Sequence, residues 1–176
     1  MDIAEAIQGY INDANTQYAF MISGQWGSGK THLWTNQLSP LISKKLNRDT
    51  FYISLYDVNC INGITEKIIL QKFKIGGNKA AAQLYGIGKI ILNGFSSFLN
   101  IKDDAQALVK KFASYFDGDD IVICFDDIER TTLNYNVFWG YINWLVEHTK
   151  CKVILVSNED ELKKKTKAIM TLKKKQ

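Results

Sequence analysis

Ten residues constrain this chain more than any others: Ile22-Ser23-Gly24-Gln25-Trp26-Gly27-Ser28-Gly29-Lys30-Thr31. They fit G-x-x-x-x-G-K-[ST], with Gly24, Gly29, Lys30 and Thr31 at the fixed positions, and an apolar run from Tyr18 to Ile22 leads into them. A strand, a glycine-rich loop and then a helix is the context in which the first helical amides point at an anion. Gly24, Gly27 and Gly29 open backbone dihedrals closed to other residues, so successive N–H groups converge on a phosphate. Lys30 is expected to reach the β- and γ-phosphates and the Thr31 hydroxyl to bind Mg²⁺. Gln25, Trp26 and Ser28 complete the loop, and His32 follows at the helix start; all are expected beside the nucleotide, although His32 has no partner in the sequence suggesting catalysis. Trp26 is large for such a loop. It covers the phosphates or a base, or it packs on a neighbouring helix.

The second informative stretch is Ile121-Val122-Ile123-Cys124-Phe125-Asp126-Asp127-Ile128-Glu129-Arg130. An apolar run ending in carboxylates describes a buried strand whose C-terminal tip holds acids at the sheet edge, where open α/β sheets bind ligands. Asp126 is expected to hold Mg²⁺, through a water, opposite Thr31. Asp127 or Glu129 would orient and polarise the attacking water, and Arg130 would pair with a nearby acid or act on a neighbouring subunit's phosphate. Asp57, at the end of the second strand, faces the same crevice or, as the favoured reading, is a turn residue. At another strand tip, Asn158 either reaches the γ-phosphate or caps the next helix, since Asn is a favoured N-cap.

Around these motifs the periodicity predicts an amphipathic helix over the first 15 residues and strands at Tyr18–Ser23, Phe51–Tyr56, Ile121–Phe125 and Val153–Val156. A helix is expected from Lys30 to Leu46, kinked or split at Pro40. Another follows through Leu133, Val137, Tyr141, Trp144 and His148, and a lysine-rich helix starts near Asn158. Residues 62–116 read as a long helical insertion between the two motifs. Alternating strands and helices imply a parallel sheet of at least four strands with helices on both faces.

The formal charge of +4 has a local origin: seven lysines lie in the last fourteen residues, which contain no acid, leaving 15 basic against 18 acidic residues elsewhere. The division expected is a core over 1–162 and a lysine-rich tail over 163–176. A nucleic-acid role would rest on that tail alone, a non-specific electrostatic surface without interleaved aromatics. Cys60, Cys124 and Cys151 show neither a disulfide framework nor metal-ligand spacing, which fits a reducing, cytoplasmic setting. The most apolar long stretch, Leu84 to Leu99, carries Lys89, Asn93, Ser96 and Ser97 and is too short and polar to span a bilayer of roughly 30 Å.

Together the two motifs resemble the KAP family of P-loop NTPases. Gly24 to Thr31 looks like that family's G-x-W-G-[SA]-G-K-[ST] loop, and Asp126-Asp127-Ile128-Glu129-Arg130 is similar to its D-D-[IL]-[DE]-R. Ser54-Leu55-Tyr56 also resembles its second-strand region. The resemblance implies ATP as nucleotide, Mg²⁺ as metal, a P-loop NTPase architecture with strand order 5-1-4-3-2, and a polar sensor at Asn158. It spans bacterial defence systems, phage-exclusion factors and animal signalling scaffolds. Only four strands precede the lysine tail, so a protein partner, self-assembly or an additional C-terminal region is expected to cover the first strand. Two functions follow as expectations: an ATPase whose turnover drives a conformational or assembly switch, and a non-hydrolysing, nucleotide-dependent interaction module.

Overall fold

A computed structural model describes residues 2–56, 58–61, 63, 64, 67, 68, 71, 121–149 and 151–165. Asp57, most of the 62–116 insertion and the tail beyond 165 lie outside the described residues. Helix α1 (Ile3–Asn12) opens on Asp2, whose carboxylate accepts the Ala4 N–H at 3.2 Å, and it buries Ile7, Tyr10 and Ile11 along one stripe. Among the described residues four strands follow: β1 (Phe20–Ser23), β2 (Asp49–Ser54), β3 (Ile121–Asp126) and β4 (Lys152–Ser157). They form one parallel sheet in the order β1-β4-β3-β2, the order the family resemblance implied for the first four of its five strands. Every residue of β3 and β4 is buried, which is why both read as unbroken apolar runs.

Helices cover both faces. On one, α1 packs with Trp34, Leu38 and Ile42 against Ile22, Val122, Cys124, Ile154 and Val156. On the other, helix α4 (Tyr135–His148), capped by Asn134 accepting the Asn136 N–H at 2.9 Å, sets Phe138 edge-on to Phe125 with centroids 6.0 Å apart. Ile64 and Ile68, both fully buried, join this second core. Among the described residues, 159–165 are helical as well. Among the described residues no helix is long and apolar enough to cross a membrane.

Three expectations shift. The helix after the loop stays helical through Pro40: α2 (Lys30–Leu33) passes into a π-helical segment (Trp34–Leu38) and then α3 (Ser39–Lys45). The Ser39 N–H reaches back five residues to the Trp34 carbonyl, and Pro40 sits in the first turn of α3, where its missing N–H costs least. Strand β1 starts at Phe20 instead of Tyr18, because the Tyr18 carbonyl accepts from the Tyr10 hydroxyl at 2.9 Å instead of entering a ladder. Strand β2 starts at Asp49, opposite Ile121, and ends at Ser54, leaving Tyr56 exposed beyond it.

The outer edge of β2 is closed by side chains. The Gln71 carboxamide accepts the Tyr52 N–H at 2.9 Å and donates to the Tyr52 carbonyl at 2.5 Å, standing in for a neighbouring strand, and Lys67 donates to the Ser54 carbonyl at 3.1 Å. Among the described residues no strand lies on the outer edge of β1.

The buried Tyr10 hydroxyl ties α1 to the sheet. It accepts the Val153 N–H at 2.9 Å and shares its proton between the Tyr18 and Val153 carbonyls, at 2.9 and 3.0 Å. Burial pushes the phenol up to about 12, against a partial lowering by the bond with the Val153 backbone. Tyr10→Phe is expected to lower stability by about 1–3 kcal/mol, because a buried N–H loses its acceptor. The check is the midpoint of chemical denaturation, which should fall with an unchanged denaturant dependence.

Candidate functional site

The loop between β1 and α2 is rooted in the sheet by the Gly24 N–H, which donates to the Ser157 carbonyl at 3.2 Å. Gly27 and Gly29 take φ of +77° and +85°, a region that disfavours side chains, and these two residues carry the turn. The Lys30 ammonium arches back over the loop and donates to the Gly24 and Gln25 carbonyls at 2.7 and 3.0 Å. Gln25, Trp26, Ser28, Thr31 and His32 are exposed around it. Among the groups expected at the nucleotide, His32 lies on the open side of α2, where its carbonyl accepts from Asn36 at 3.2 Å.

Strand β3 delivers the acids. Thr31 Oγ1 donates to Asp126 Oδ2 at 2.6 Å across 95 residues of sequence. The same oxygen accepts the Tyr52 hydroxyl at 2.9 Å, and Asp126 Oδ1 accepts the Asp127 N–H at 2.7 Å. Burial and the neighbouring Asp126 carboxylate push the Tyr52 phenol well above its usual range, so it serves Asp126 as a donor. Asp127 has φ of +59°, in the left-handed region that Asp tolerates better than most residues. This turns the chain into a 3₁₀ turn (Ile128–Arg130) and sends Asp127 and Glu129 apart.

Asp127 faces β2: its Oδ2 accepts from Ser54 at 2.9 Å and its Oδ1 lies 3.6 Å from Arg130 Nε. Glu129 faces the other way, toward the loop and the tip of β4. Its Oε1 accepts the Trp26 indole N–H at 2.8 Å and its Oε2 accepts the Ser157 hydroxyl at 3.0 Å. Burial raises the Glu129 carboxyl, but hydrogen bonds from Trp26, backbone amides and Ser157 outweigh it and leave the group below the usual carboxylate range. A carboxylate lowered on folding adds stability that is complete above the unfolded value, about 4.3 for Glu, and lost as pH falls through the folded value. Glu129→Gln should therefore flatten the acid limb of a stability–pH curve.

Trp26 is 57% exposed, and the Arg130 guanidinium lies 5.5 Å from its ring and 5.9 Å from that of Tyr56. These groups, with Glu129 and the 159–165 helix, line an open cavity of about 580 Å³ beside the loop. On that helix Lys163 pairs with Glu159 and Lys164 with Glu161, both at 2.7 Å, and Lys165 donates to the Glu129 and Thr131 carbonyls at 3.1 and 2.7 Å. Asn158 is buried and caps the helix, its Oδ1 accepting the Glu161 N–H at 3.4 Å.

The fold thus brings Lys30, Thr31, Asp126, Glu129 and Trp26 to one end of the sheet, with Asp127 turned toward β2. Sequence reasoning missed Tyr52 and Ser54. Both lie on β2 opposite Cys124 and Asp126, so alternation along that strand places them on one face, but only the register makes them partners of the acids. The oxygens of Thr31 and Asp126 suit a hard cation, and two protein ligands completed by phosphate oxygens and water are typical of Mg²⁺. No group of three or more His, Cys, Asp or Glu side chains that could hold a metal ion is present among the described residues.

No curated protein and no solved structure matches the chain. The KAP family P-loop domain does, over residues 1–58 and 36–176, which together take in the whole sequence. A glycine loop rooted between β1 and β4, its threonine bonded to the first acid of β3, in a parallel sheet ordered β1-β4-β3-β2, gives that match its physical content: the chain belongs to the KAP family of P-loop domains.

Proposed function

We propose that this chain binds ATP with Mg²⁺ and hydrolyses it, turnover driving a conformational or assembly switch. The observation that carries the reading is the 2.6 Å contact between Thr31 and Asp126, which joins the residue after the glycine loop and its lysine to the tip of the acid strand. In this reading the loop amides and Lys30 take the phosphates, with Gly24, Gln25, Trp26, Gly27, Ser28, Gly29 and His32 surrounding them, and Asn158 stands near the γ-phosphate end. Mg²⁺ held by Thr31 and Asp126 would neutralise charge on the β- and γ-oxygens. Glu129 takes the role of orienting water in preference to Asp127, because it faces the loop while Asp127 faces Ser54 and Arg130. The water oxygen bonds to the γ-phosphorus and the bond to the bridging oxygen breaks. ADP and phosphate result, and the water proton passes to Glu129 or to the phosphate.

The second reading, a nucleotide-dependent interaction module without hydrolysis, draws support from the Glu129 carboxylate, both of whose oxygens already hold partners. Phosphate release by wild type, Lys30→Ala, Asp127→Asn and Glu129→Gln separates the two. Release that matches the Lys30→Ala background while ATP still binds would select the module. The division into a core over 1–162 and a tail over 163–176, and completion of the sheet by a partner or further chain, belong to the same proposal.

A further inference from the structure

We propose that Trp26 is a positioning residue that couples occupancy of the phosphate loop to the placement of the Glu129 carboxylate. The inference rests on the reading above of the loop as a phosphate site. Hydrophobic burial does not hold this side chain, since more than half of it is exposed. It is fixed by polar contacts: the indole N–H on Glu129 Oε1 at 2.8 Å and the Arg130 guanidinium 5.5 Å from the ring. Ser157 closes the circuit. Its hydroxyl holds the other Glu129 oxygen at 3.0 Å while its carbonyl holds the root of the loop through the Gly24 N–H at 3.2 Å.

Glu129 is therefore tied to the loop at two places, directly through Trp26 and indirectly through Ser157. A hydrogen bond weakens steeply with length and angle. Any backbone adjustment made as the loop amides close on phosphate moves the indole N–H and with it the preferred position of the carboxylate. Phenylalanine at 26 would keep most of the ring beneath Arg130 and lose the donor. Glutamine would restore an N–H and lose the ring.

Two readouts test the coupling, with nucleotide binding measured separately by calorimetry on wild type and Lys30→Ala. In turnover, Trp26→Phe should lower kcat about tenfold with KM within about twofold, and Trp26→Gln should recover part of the loss. In ¹H–¹⁵N spectra, the indole resonance that vanishes in Trp26→Phe should shift when Mg-ATP is added to wild type, and should start from a different position in Glu129→Ala. A raised KM at constant kcat, or equal loss of thermal stability in the Phe and Gln variants, would reduce Trp26 to a structural staple and overturn the proposal. So would an indole resonance that stays in place while nucleotide binds, a result that needs no hydrolysis. Absence of any calorimetric difference between wild type and Lys30→Ala removes the phosphate site itself, and the coupling with it.

Discussion

Lys30→Ala is expected to reduce ATP affinity by about ten- to a hundredfold and to abolish measurable hydrolysis. The ammonium is the described cation that reaches across the loop, lying 2.7 Å from the Gly24 carbonyl at the point where the helix amides emerge. Hydrogen bonds to charged groups contribute about 1.5–3 kcal/mol each, which sets the loss in affinity. A group that stabilises charge developing on a transferred phosphoryl adds a further factor of about 10²–10³ in rate. The fold should survive: Lys30 is half-buried, its partners are two carbonyls at an open loop, and water replaces the lost donor at a cost of about 1 kcal/mol. Calorimetric titration with Mg-ATP beside a thermal melt separates the outcomes. Unchanged affinity in a folded variant would show that the loop is not the phosphate site.

Glu129→Gln is the second large effect. It is expected to lower kcat by about 10²–10³ while ATP affinity stays within about threefold. The substitution keeps shape and an acceptor for the Trp26 N–H, and Ser157 can turn its hydroxyl to accept from the new amide, so the loss is confined to charge and basicity. Asp127→Asn is expected to cost less than about tenfold, because that carboxylate is turned toward Ser54 and Arg130 on the β2 side. Single-turnover phosphate release under saturating nucleotide measures both. The reverse ranking, with Asp127→Asn inactive and Glu129→Gln active, would transfer the water-orienting role to Asp127.

The parts of this protein that were legible from residues alone are those whose physics is local. Gly27 and Gly29 are recognisable because the dihedrals they adopt are ones that residues with a side chain rarely take, whatever surrounds them. β3 and β4 are recognisable because strands buried on both faces need apolar residues throughout. Strand ends were less legible, since they depend on which carbonyl a neighbour takes: Tyr10 claims that of Tyr18 and so moves the start of β1. The π-helical segment before Pro40 was also hidden, because a proline in a helical run signals disruption without saying how the backbone absorbs it.

Sequence by itself determined the chemistry on offer: a glycine turn, one lysine and one threonine after it, and three acids following an apolar strand. Tertiary structure decided which acid meets which group. Thr31 on Asp126, Tyr52 on Asp126, Ser54 on Asp127 and Trp26 on Glu129 span 95, 74, 73 and 103 residues. Contacts that distant follow from strand register and from the left-handed turn at Asp127, and no periodicity within a single strand carries either, because periodicity assigns a face and never a partner.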